Sequence, residues 1–400
     1  MTRVAAHGVS GNESSSRSNV LVLSTADWAA PLWTNKQYMA CELALENDVE
    51  YFESLGLRRP ELSMRDLTRI GRRLVRRRGP HPGHELPRRR PPSLRVRTPL
   101  VVPYHKGPVR LLNKKVIEAM SAPWRRAPRR LLWTYTPTTY GLELAAPTVY
   151  HCVDLLSAYP GIDREVMASG EQQLARSGAI AIGSSRVVCE HLRRVGFARV
   201  VEWPNVADVD RFIHDPSGQQ RVPGRVVFGG NVSPYKIDAS LVAAILAQAP
   251  TAEVIVAGPI AEGGGKSWPA LRELSDRGVR FIGNRSVDEL AALYRTASVA
   301  IIPYLLNDYT KGVLPLKLYE YLAAGLPIVS SRLENLPDLD RLDLFVTAGP
   351  EQFATAVISL LQGPSVADAR RRMDVARANS WTTRGVEARE LVQSIVAGRS

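Results

Sequence analysis

The feature that most constrains the fold of this chain is a regular alternation between short apolar runs and segments of helical periodicity. Runs such as residues 19–25 and 179–182 are largely apolar along their length, as strands are when both faces of a parallel sheet are covered. A segment with apolar residues at helical spacing follows most of these runs. This order is typical of repeated βα units, so the sequence predicts an α/β fold.

The alternation is interrupted once, between residues 204 and 224, where proline and glycine accumulate. A chain of 400 residues suits two domains of ordinary size. Two Rossmann-like domains facing each other would bind ligands at the carboxyl ends of their strands. The predicted units are a disordered tail (1–18), a first domain (19–205), a linker (206–224), a second domain (225–380) and a C-terminal helix (381–400).

The net charge of +13 is concentrated in residues 58–97, which hold fourteen arginines and three acids, a balance of 14 − 3 = +11. Apolar residues near one face of this stretch favour a helix on an anionic membrane surface, namely Leu62, Leu67, Ile70, Leu74 and Val75. A solvated arginine-rich loop is the alternative. Nucleic-acid binding is disfavoured because the stretch lacks aromatic residues for base stacking. We therefore expect a cytoplasmic protein, peripheral on the inner face of the plasma membrane, with no nucleic-acid partner.

Other composition features exclude several classes. No apolar run approaches the roughly 20 residues of a membrane-spanning helix, and the polar first eighteen residues do not resemble a secretion signal. Cys41, Cys152 and Cys189 form no metal-binding or disulfide pattern. Two DxD sequences, at 208–210 and 338–340, resemble metal sites but fall in the linker and in a proline-flanked loop. We expect no metal and no cofactor.

A glycine turn opens the second domain, within residues 225–238. Gly229 and Gly230 allow a ligand to approach the backbone, and Lys236 is predicted in the first turn of the helix that follows. A lysine beside a helix start suits phosphate oxygens, although a solvated lysine in an ordinary βα turn is the alternative. Neither a GxGxxG nor a P-loop pattern occurs here, which disfavours dehydrogenases and P-loop enzymes.

A second informative stretch covers residues 313–331. Pro315 is suited to the first turn of a helix, and Gly325 to its end. Glu320 lies inside this helix among apolar residues, where a carboxylate is either paired or directed at ligand hydroxyls. Lys317 is a candidate both for the salt-bridge partner of Glu320 and for a phosphate ligand.

These motifs together resemble the bacterial GT-B glycosyltransferases of family 4, the "group 1" type. The resemblance rests on the glycine turn with its lysine, on "FIGNRSVDELAALYRTASVAIIPY" and on "PLKLYEYLAAGLPIV". It extends back to "VYHCVDLLSAYPG", "EQQLARSGAIAIGSS" and "PNVADVDRF", and is weakest across 55–128. It implies two facing domains, a final helix that crosses back to the first domain, and retaining, metal-independent transfer from a nucleoside-diphosphate sugar.

The resemblance also implies roles for individual residues. Glu320 matches the glutamate that holds the donor ribose, and Lys236 matches the basic residue on the diphosphate and is a catalytic candidate. The remaining donor-side positions are the turn (Gly230, Asn231), the helix start near the phosphates (Leu316, Lys317) and the loop that flanks the nucleobase (Gly283, Arg285).

Two departures from the family pattern occur. The acid expected eight residues before Glu320 is replaced by Gly312, which leaves Asn307, Asp308 and Lys311 as candidates for the missing sugar contact. The arginine usual after the glycine turn is Asn231. These differences resemble a subgroup that builds surface polysaccharides.

Two groups of candidates fall in the first domain. Asp154 and His151 lie at the end of a predicted strand and are candidates for an acid, a base or an acceptor contact, with helix or turn capping by Asp154 as the alternative. The loop after the first strand provides acceptor-side candidates, with loop packing as the alternative, and these are Asp27, Trp28, Trp33 and Asn35.

The sequence thus predicts an enzyme, a glycosyltransferase of the hexosyltransferase type. Its expected partners are a nucleotide-sugar donor and a lipid-linked or glycan acceptor in cell-surface glycan synthesis. Two alternatives stay open: a nucleotide-sugar epimerase on the same fold, and a non-catalytic protein that binds membranes or nucleic acid through residues 58–97.

Overall fold

The structure is a computed structural model that describes residues 17–30, 33–57, 88–159, 161–218, 221–260, 269–337 and 344–398. Elements are numbered here in chain order within those residues. The strands are β1 (Asn19–Leu23), β2 (Asp48–Phe52), β3 (Leu94–Arg97), β4 (Arg130–Thr134), β5 (Thr148–Cys152), β6 (Ile180–Gly183), β7 (Val200–Glu202), β8 (Arg225–Gly229), β9 (Glu253–Ala257), β10 (Arg280–Gly283), β11 (Val299–Ile302), β12 (Ile328–Ser331) and β13 (Leu344–Thr347).

The helices alternate with these strands. They are α1 (Asn35–Leu43), α2 (Gly107–Arg126), α3 (Arg164–Arg176), α4 (Arg186–Val195), α5 (Ala239–Gln248), α6 (Pro269–Asp276), α7 (Val287–Thr296), α8 (Asp308–Lys311), α9 (Lys317–Ala323), α10 (Pro350–Ser359), α11 (Val366–Ala378) and α12 (Trp381–Val396).

The strands form two parallel sheets. The first has the order β3-β2-β1-β4-β5-β6-β7, and the second the order β10-β9-β8-β11-β12-β13. In each sheet the order reverses beside its first strand, between β1 and β4 and between β8 and β11. Ligands of such sheets bind beyond the carboxyl ends of the strands at this reversal. The α/β prediction with two Rossmann-like units is therefore confirmed, and the candidate site is localised to the loops after β1, β4, β8 and β11.

The last helix, α12, packs against α1 of the first sheet. Trp381 stacks on Tyr38 with ring centroids 5.3 Å apart and planes 12° apart. Arg389 forms ion pairs with Glu42 and Glu46 at 3.1 and 2.9 Å. The expected crossover of the C-terminal helix to the first domain is thus present.

Three features differ from the predicted elements. The apolar run at residues 100–102 predicts a strand there, but the strand lies earlier, at β3, and α2 was not predicted at all. Its buried stripe contains Asn113 and Ser121 beside Ile117 and Trp124, so no clean apolar period marks it in the sequence. The predicted tail also ends earlier: the Arg17 guanidinium donates to the carbonyl oxygens of Ala44 and Asn47, and Ser18 is buried.

Candidate functional site

The side chain of Lys317 packs against the glycine turn after β8. Gly230 has φ 151°, and a Cβ on it would lie 2.2 Å from Cε of Lys317. The amide of the preceding Gly229 donates to the hydroxyl of Tyr321 at 2.9 Å. Only glycine therefore fits at position 230, and the side chain of Lys317 lies directly against the turn. The turn, the helix α9 and its first side chain form one wall of the candidate site.

Lys236 lies in the same loop but not in a helix. The helix α5 begins at Ala239 with Asp238 as its N-cap, so the predicted position of Lys236 in the first helical turn is wrong. Its carbonyl oxygen accepts from the amide of Leu305 at 2.8 Å, and its Nζ lies 4.7 Å from the ring centroid of Tyr304. Burial lowers the pKa of Lys236, and the negative charge of Asp154 opposes that shift.

Asp154 approaches Lys236 from the first domain. It follows β5, and burial raises the pKa of its carboxyl group while the charges of Lys36 and Lys236 act in the opposite direction. Burial likewise lowers the pKa of Lys36, which the charge of Asp154 opposes. Among the described residues, no ion pair within 4 Å joins these three groups. Their charges therefore act on one another between the two domains without a direct ion pair.

Lys36 was missed by sequence reasoning. It is the second residue of α1, in the segment that follows β1 at the reversal of the first sheet. The sequence did contain a signal for this residue: a lysine directly after the candidate Asn35, in the segment that follows the first strand.

Glu320 lies in α9, one helical turn after Lys317. Burial raises the pKa of Glu320; the charge of Lys317 opposes this shift and that of Asp208 adds to it. Among the described residues no cation lies within 4 Å of its carboxylate, so Lys317 is not its salt-bridge partner. A buried carboxylate without a paired cation is costly, which favours the ligand-binding alternative over the structural one.

Tyr304, two residues after β11, brings these groups into one neighbourhood. Burial raises the pKa of its hydroxyl to about 12, with Lys317 opposing and with Glu320 and Asp154 adding to the shift. Lys236 lies over the same ring. The charged groups of Asp154, Lys236, Lys317 and Glu320 are therefore all near the buried Tyr304 side chain.

Gly312, which replaces the family's acid, is packed against the first domain. Its carbonyl oxygen accepts from the hydroxyl of Ser185 at 3.0 Å, and a Cβ there would lie 3.2 Å from Leu155. The structure thus leaves little room for a longer side chain at this position. Glycine in place of the family's acid at position 312 therefore fits the close contact between the two domains.

The three candidates for the missing contact have other surroundings. Asn307 caps α8 by accepting from the amides of Tyr309 and Thr310, and it donates to the carbonyl oxygen of Tyr235. Asp308 is exposed, and Lys311 lies 3.7 Å from Glu334. None of the three has a recorded contact with Glu320 or Lys236.

We expect Gly312→Glu to lower kcat/KM rather than raise it, although the substitution restores the family's acid. The added side chain meets Leu155, and overpacking of this kind costs about 1–3 kcal/mol. Steady-state kinetics and thermal unfolding measure both effects. Gly218→Glu is the matched control, since a Cβ there has no atom within 4 Å. A gain in kcat/KM by Gly312→Glu would contradict this interpretation.

The other donor-side candidates lie in the glycine turn, before α9 and at the end of β10. The Oδ1 atom of Asn231 is buried without a hydrogen-bond partner among the described residues, beside the turn. Leu316 is the residue before α9. Gly283 ends β10 with φ 70°, and Arg285 follows in a partly exposed loop 4.0 Å from Glu289.

Several first-domain candidates face the core instead. Trp28 and Trp33 are 6% exposed and pack against each other with centroids 4.8 Å apart. His151 is 4% exposed and stacks on Tyr135 at 4.9 Å; burial, with the nearby Arg384 and Lys36, holds its pKa well below the usual range. These three side chains pack against neighbouring aromatic rings, which favours the loop-packing alternative for Trp28 and Trp33.

Asn35 and Asp27 have structural contacts as well. Asn35 is buried and donates through Nδ2 to Asn205 at 2.6 Å, and Asn205 donates to the carbonyl oxygen of Leu314 at 2.6 Å. The carbonyl oxygen of Asp27 accepts from Gln37. Asn35 therefore links the first domain through the linker to the loop before α9.

At the end of the basic stretch, Arg88 is partly buried, whereas Arg89, Arg90 and Arg95 are exposed. Arg88 forms ion pairs with Glu42 at 2.7 Å and with Asp208 at 2.5 Å, and its guanidinium lies over the ring of Tyr38. Residues 94–97 form β3. The membrane-facing role expected for residues 58–97 stays a prediction, and residues 58–87 lie outside the described part of the chain.

A pocket of about 360 Å³ opens in the first domain. Its walls come from the start of α2, the loop after β4 and the helix α3. The polar side chains in those walls are Lys106, Arg110, Thr138, Thr139, Glu165, Ser169 and Gln173. The hydroxyl oxygen of Thr138 is buried without a hydrogen-bond partner among the described residues. The mixture of hydroxyl, amide and charged groups suits a hydroxylated ligand.

Metal and membrane features are absent from the described residues. No group of three or more His, Cys, Asp or Glu side chains there is placed to hold a metal ion. Asp208, of the first DxD sequence, is paired with Arg88, and residues 338–340 lie outside the described part. No described helix is long and apolar enough to cross a bilayer. Cys41, Cys152 and Cys189 are buried and free.

Comparison of the fold with solved structures gives the class. Sucrose-phosphate synthase from Thermosynechococcus elongatus superimposes with a TM-score of 0.69, at 18% identity, over 96% of this chain and all of that chain. HepE from Anabaena, solved with UDP and glucose, gives 0.60 at 14% identity, over 94% of this chain and all of that chain. The two facing sheets and the crossover helix are those of the GT-B fold.

The family follows from the sequence of the second domain. Residues 224–363 match the family described as "Glycosyl transferases group 1". TuaH of Bacillus subtilis, named as a teichuronic acid biosynthesis glycosyltransferase, is 25% identical over 254 residues. That match spans 58% of this chain and 63% of TuaH. The resemblance to the group 1 type is thereby confirmed.

Proposed function

We propose that the protein transfers a sugar from a nucleoside-diphosphate sugar to a lipid-linked or polysaccharide acceptor in cell-surface glycan synthesis. The observation that carries the proposal is the gathering of Lys236, Lys317 and Glu320 around Tyr304, beside a glycine turn at the strand reversal. The name of TuaH supports an acceptor in cell-surface glycan synthesis. The UDP found with HepE supports a nucleoside-diphosphate sugar as the donor.

In the proposed complex the diphosphate lies along the glycine turn. Lys236 and Lys317 provide two ammonium groups for its oxygens, and backbone can approach closely at Gly230. Glu320 accepts hydrogen bonds from the ribose hydroxyls. The nucleobase lies toward Gly283 and Arg285, at the end of β10.

We further propose that transfer is retaining and needs no metal. The bond between the anomeric carbon and the phosphate oxygen breaks while the acceptor oxygen bonds to that carbon, and the acceptor proton passes to the departing diphosphate. The two lysines are preorganised to stabilise the charge that develops on the leaving group. Asp154, facing them from the first domain, orients the acceptor or a sugar hydroxyl by accepting a hydrogen bond.

The decisive experiment is a thermal-shift panel of nucleoside diphosphates and their sugars. A ligand at a hundred times its Kd adds about 2.7 kcal/mol to the free energy of unfolding, which gives a clear rise in Tm. We expect one nucleotide series to stabilise the chain and the others to have little effect. No stabilisation by any member of the panel would refute the proposal.

Metal removal gives an independent prediction. We expect initial rates of sugar transfer to stay within about twofold after dialysis against EDTA, since lysines supply the positive charge. Radiolabelled or mass-spectrometric product formation measures this. Loss of activity that Mg²⁺ or Mn²⁺ restores would contradict the metal-independent mechanism while leaving donor binding intact.

A further inference from the structure

Exposed apolar side chains gather around the first half of α2. Of the thirteen large apolar side chains exposed among the described residues, five lie between residues 100 and 112: Leu100, Val102, Tyr104, Leu111 and Leu112. Leu111 and Leu112 are 61% and 56% exposed. The side chain of Asn113 hydrogen-bonds to the backbone of Val102 and Tyr104, so the two groups are neighbours on the surface of the first domain.

The orientation of α2 is fixed by its inner stripe. Asn113, Ile117, Ser121 and Trp124 are buried at helical spacing, and the Trp124 indole donates to the carbonyl oxygen of Asn19 at 3.0 Å. The inner face packs Ile117 and Trp124 into an apolar cluster beside the polar Asn113 and Ser121. The exposed Leu111 and Leu112 therefore lie outside the face that covers the first domain.

Positive charge surrounds the exposed leucines. Within α2 there are five cations, namely Arg110, Lys114, Lys115, Arg125 and Arg126, against the single acid Glu118, a balance of 5 − 1 = +4. Glu118 lies 3.7 Å from Lys114 and 4.0 Å from Arg125. Within the described part of the chain, Arg110, Lys115 and Arg126 have no ion-pair partner.

We propose that the outer face of α2, with Val102 and Tyr104, docks on the surface of an anionic phospholipid bilayer. Leu111 and Leu112 insert below the headgroups, and Arg110 and Lys115 lie on lipid phosphates. Aliphatic side chains flanked by cations are the composition of a helix that lies in the membrane interface. The same helix start supplies Lys106 and Arg110 to the 360 Å³ pocket, so that pocket opens beside the bilayer.

The test is co-sedimentation of the full chain with vesicles of phosphatidylglycerol and phosphatidylcholine. We expect the chain to bind the anionic mixture, and not phosphatidylcholine alone, with binding weakened by salt. Leu111→Ser together with Leu112→Ser should lower the partition coefficient at least about tenfold. Leu306→Ser is the matched control, because Leu306 is equally exposed (62%) on the second domain and should leave binding unchanged.

Three outcomes would overturn the proposal. The first is no binding of the full chain to anionic vesicles at low salt, and the second is equal binding to neutral vesicles. The third is undiminished binding of the double variant, which would assign the contact to another part of the chain such as residues 58–87. The Tm of the double variant checks its folding. Its nucleotide-induced thermal shift should match that of the unmodified chain, which separates this test from that of the donor site.

Discussion

Lys236→Ala is expected to lower kcat/KM for sugar transfer by about 10²–10³-fold, the cost of removing one preorganised charge at a reacting centre. The ammonium group is buried over Tyr304, and no described acid lies within 4 Å of it. Burial lowers the pKa of Lys236, so the empty site is an unfavourable place for its charge. A diphosphate between Lys236 and Lys317 would compensate that cost in the bound state.

The same reasoning gives the effect of this variant on stability. Because the unliganded protein carries the cost of a buried ammonium group, its removal should leave the free energy of unfolding unchanged or raise it. Calorimetry with the nucleoside diphosphate and thermal unfolding of the free protein measure the two quantities separately.

Two variants control this experiment. Lys311→Ala removes an exposed lysine of the same domain that pairs with Glu334, and it should leave both quantities unchanged. Lys236→Arg keeps the charge and should retain part of the affinity. Normal nucleotide affinity in Lys236→Ala would show that the lysine is only a loop residue.

Several elements of the second domain were predictable from the sequence because strands such as β9 and β11 are largely buried and apolar. The apolar run at residues 253–257 predicts β9, and the helical pattern at 287–296 predicts α7, with the bounds that the structure has. Hydrophobic periodicity reports burial within one domain, and this is why it succeeded for those elements and failed for α2, whose inner stripe contains Asn113 and Ser121.

Contacts between domains were not predictable in this way. Lys36, Asp154 and Lys236 are far apart in sequence, and only the facing arrangement of the two sheets brings their charges together. A position at the end of a strand also did not distinguish candidate site residues from residues that pack in the core. His151 and Asp154 both lie near the end of β5, but the histidine stacks on Tyr135, whereas the aspartate lies where the charges of Lys36 and Lys236 act on it.

Arg88 illustrates the limit of charge counting. In the sequence it belongs to a run of arginines that indicates a solvated or membrane-bound surface, whereas in the structure it neutralises Glu42 and Asp208 beneath Tyr38. A local excess of charge gives no information about acids that are distant in sequence. The basic surface of α2 became apparent only from the exposure of its leucines.

Glu320→Ala should weaken nucleoside-diphosphate binding by about 10–100-fold, because hydrogen bonds from ribose hydroxyls to a carboxylate contribute about 1.5–3 kcal/mol. Inorganic pyrophosphate has no ribose, so its affinity should be unchanged in this variant. Lys236→Ala should weaken the binding of both ligands. Isothermal titration of two variants with two ligands therefore separates the carboxylate's role from that of the lysine.

The competing explanation for Glu320 is structural, and it predicts a different pattern. Burial raises the pKa of Glu320, and no described cation pairs with it, so its removal should not lower the free energy of unfolding. Glu334→Ala, which removes an exposed acid near Lys311, is the matched control. Glu320→Gln should fall between the unmodified protein and Glu320→Ala, since an amide oxygen still accepts one hydrogen bond. A large loss of stability with normal nucleotide affinity would assign Glu320 to the core of the second domain and remove the ribose contact from the proposed donor site.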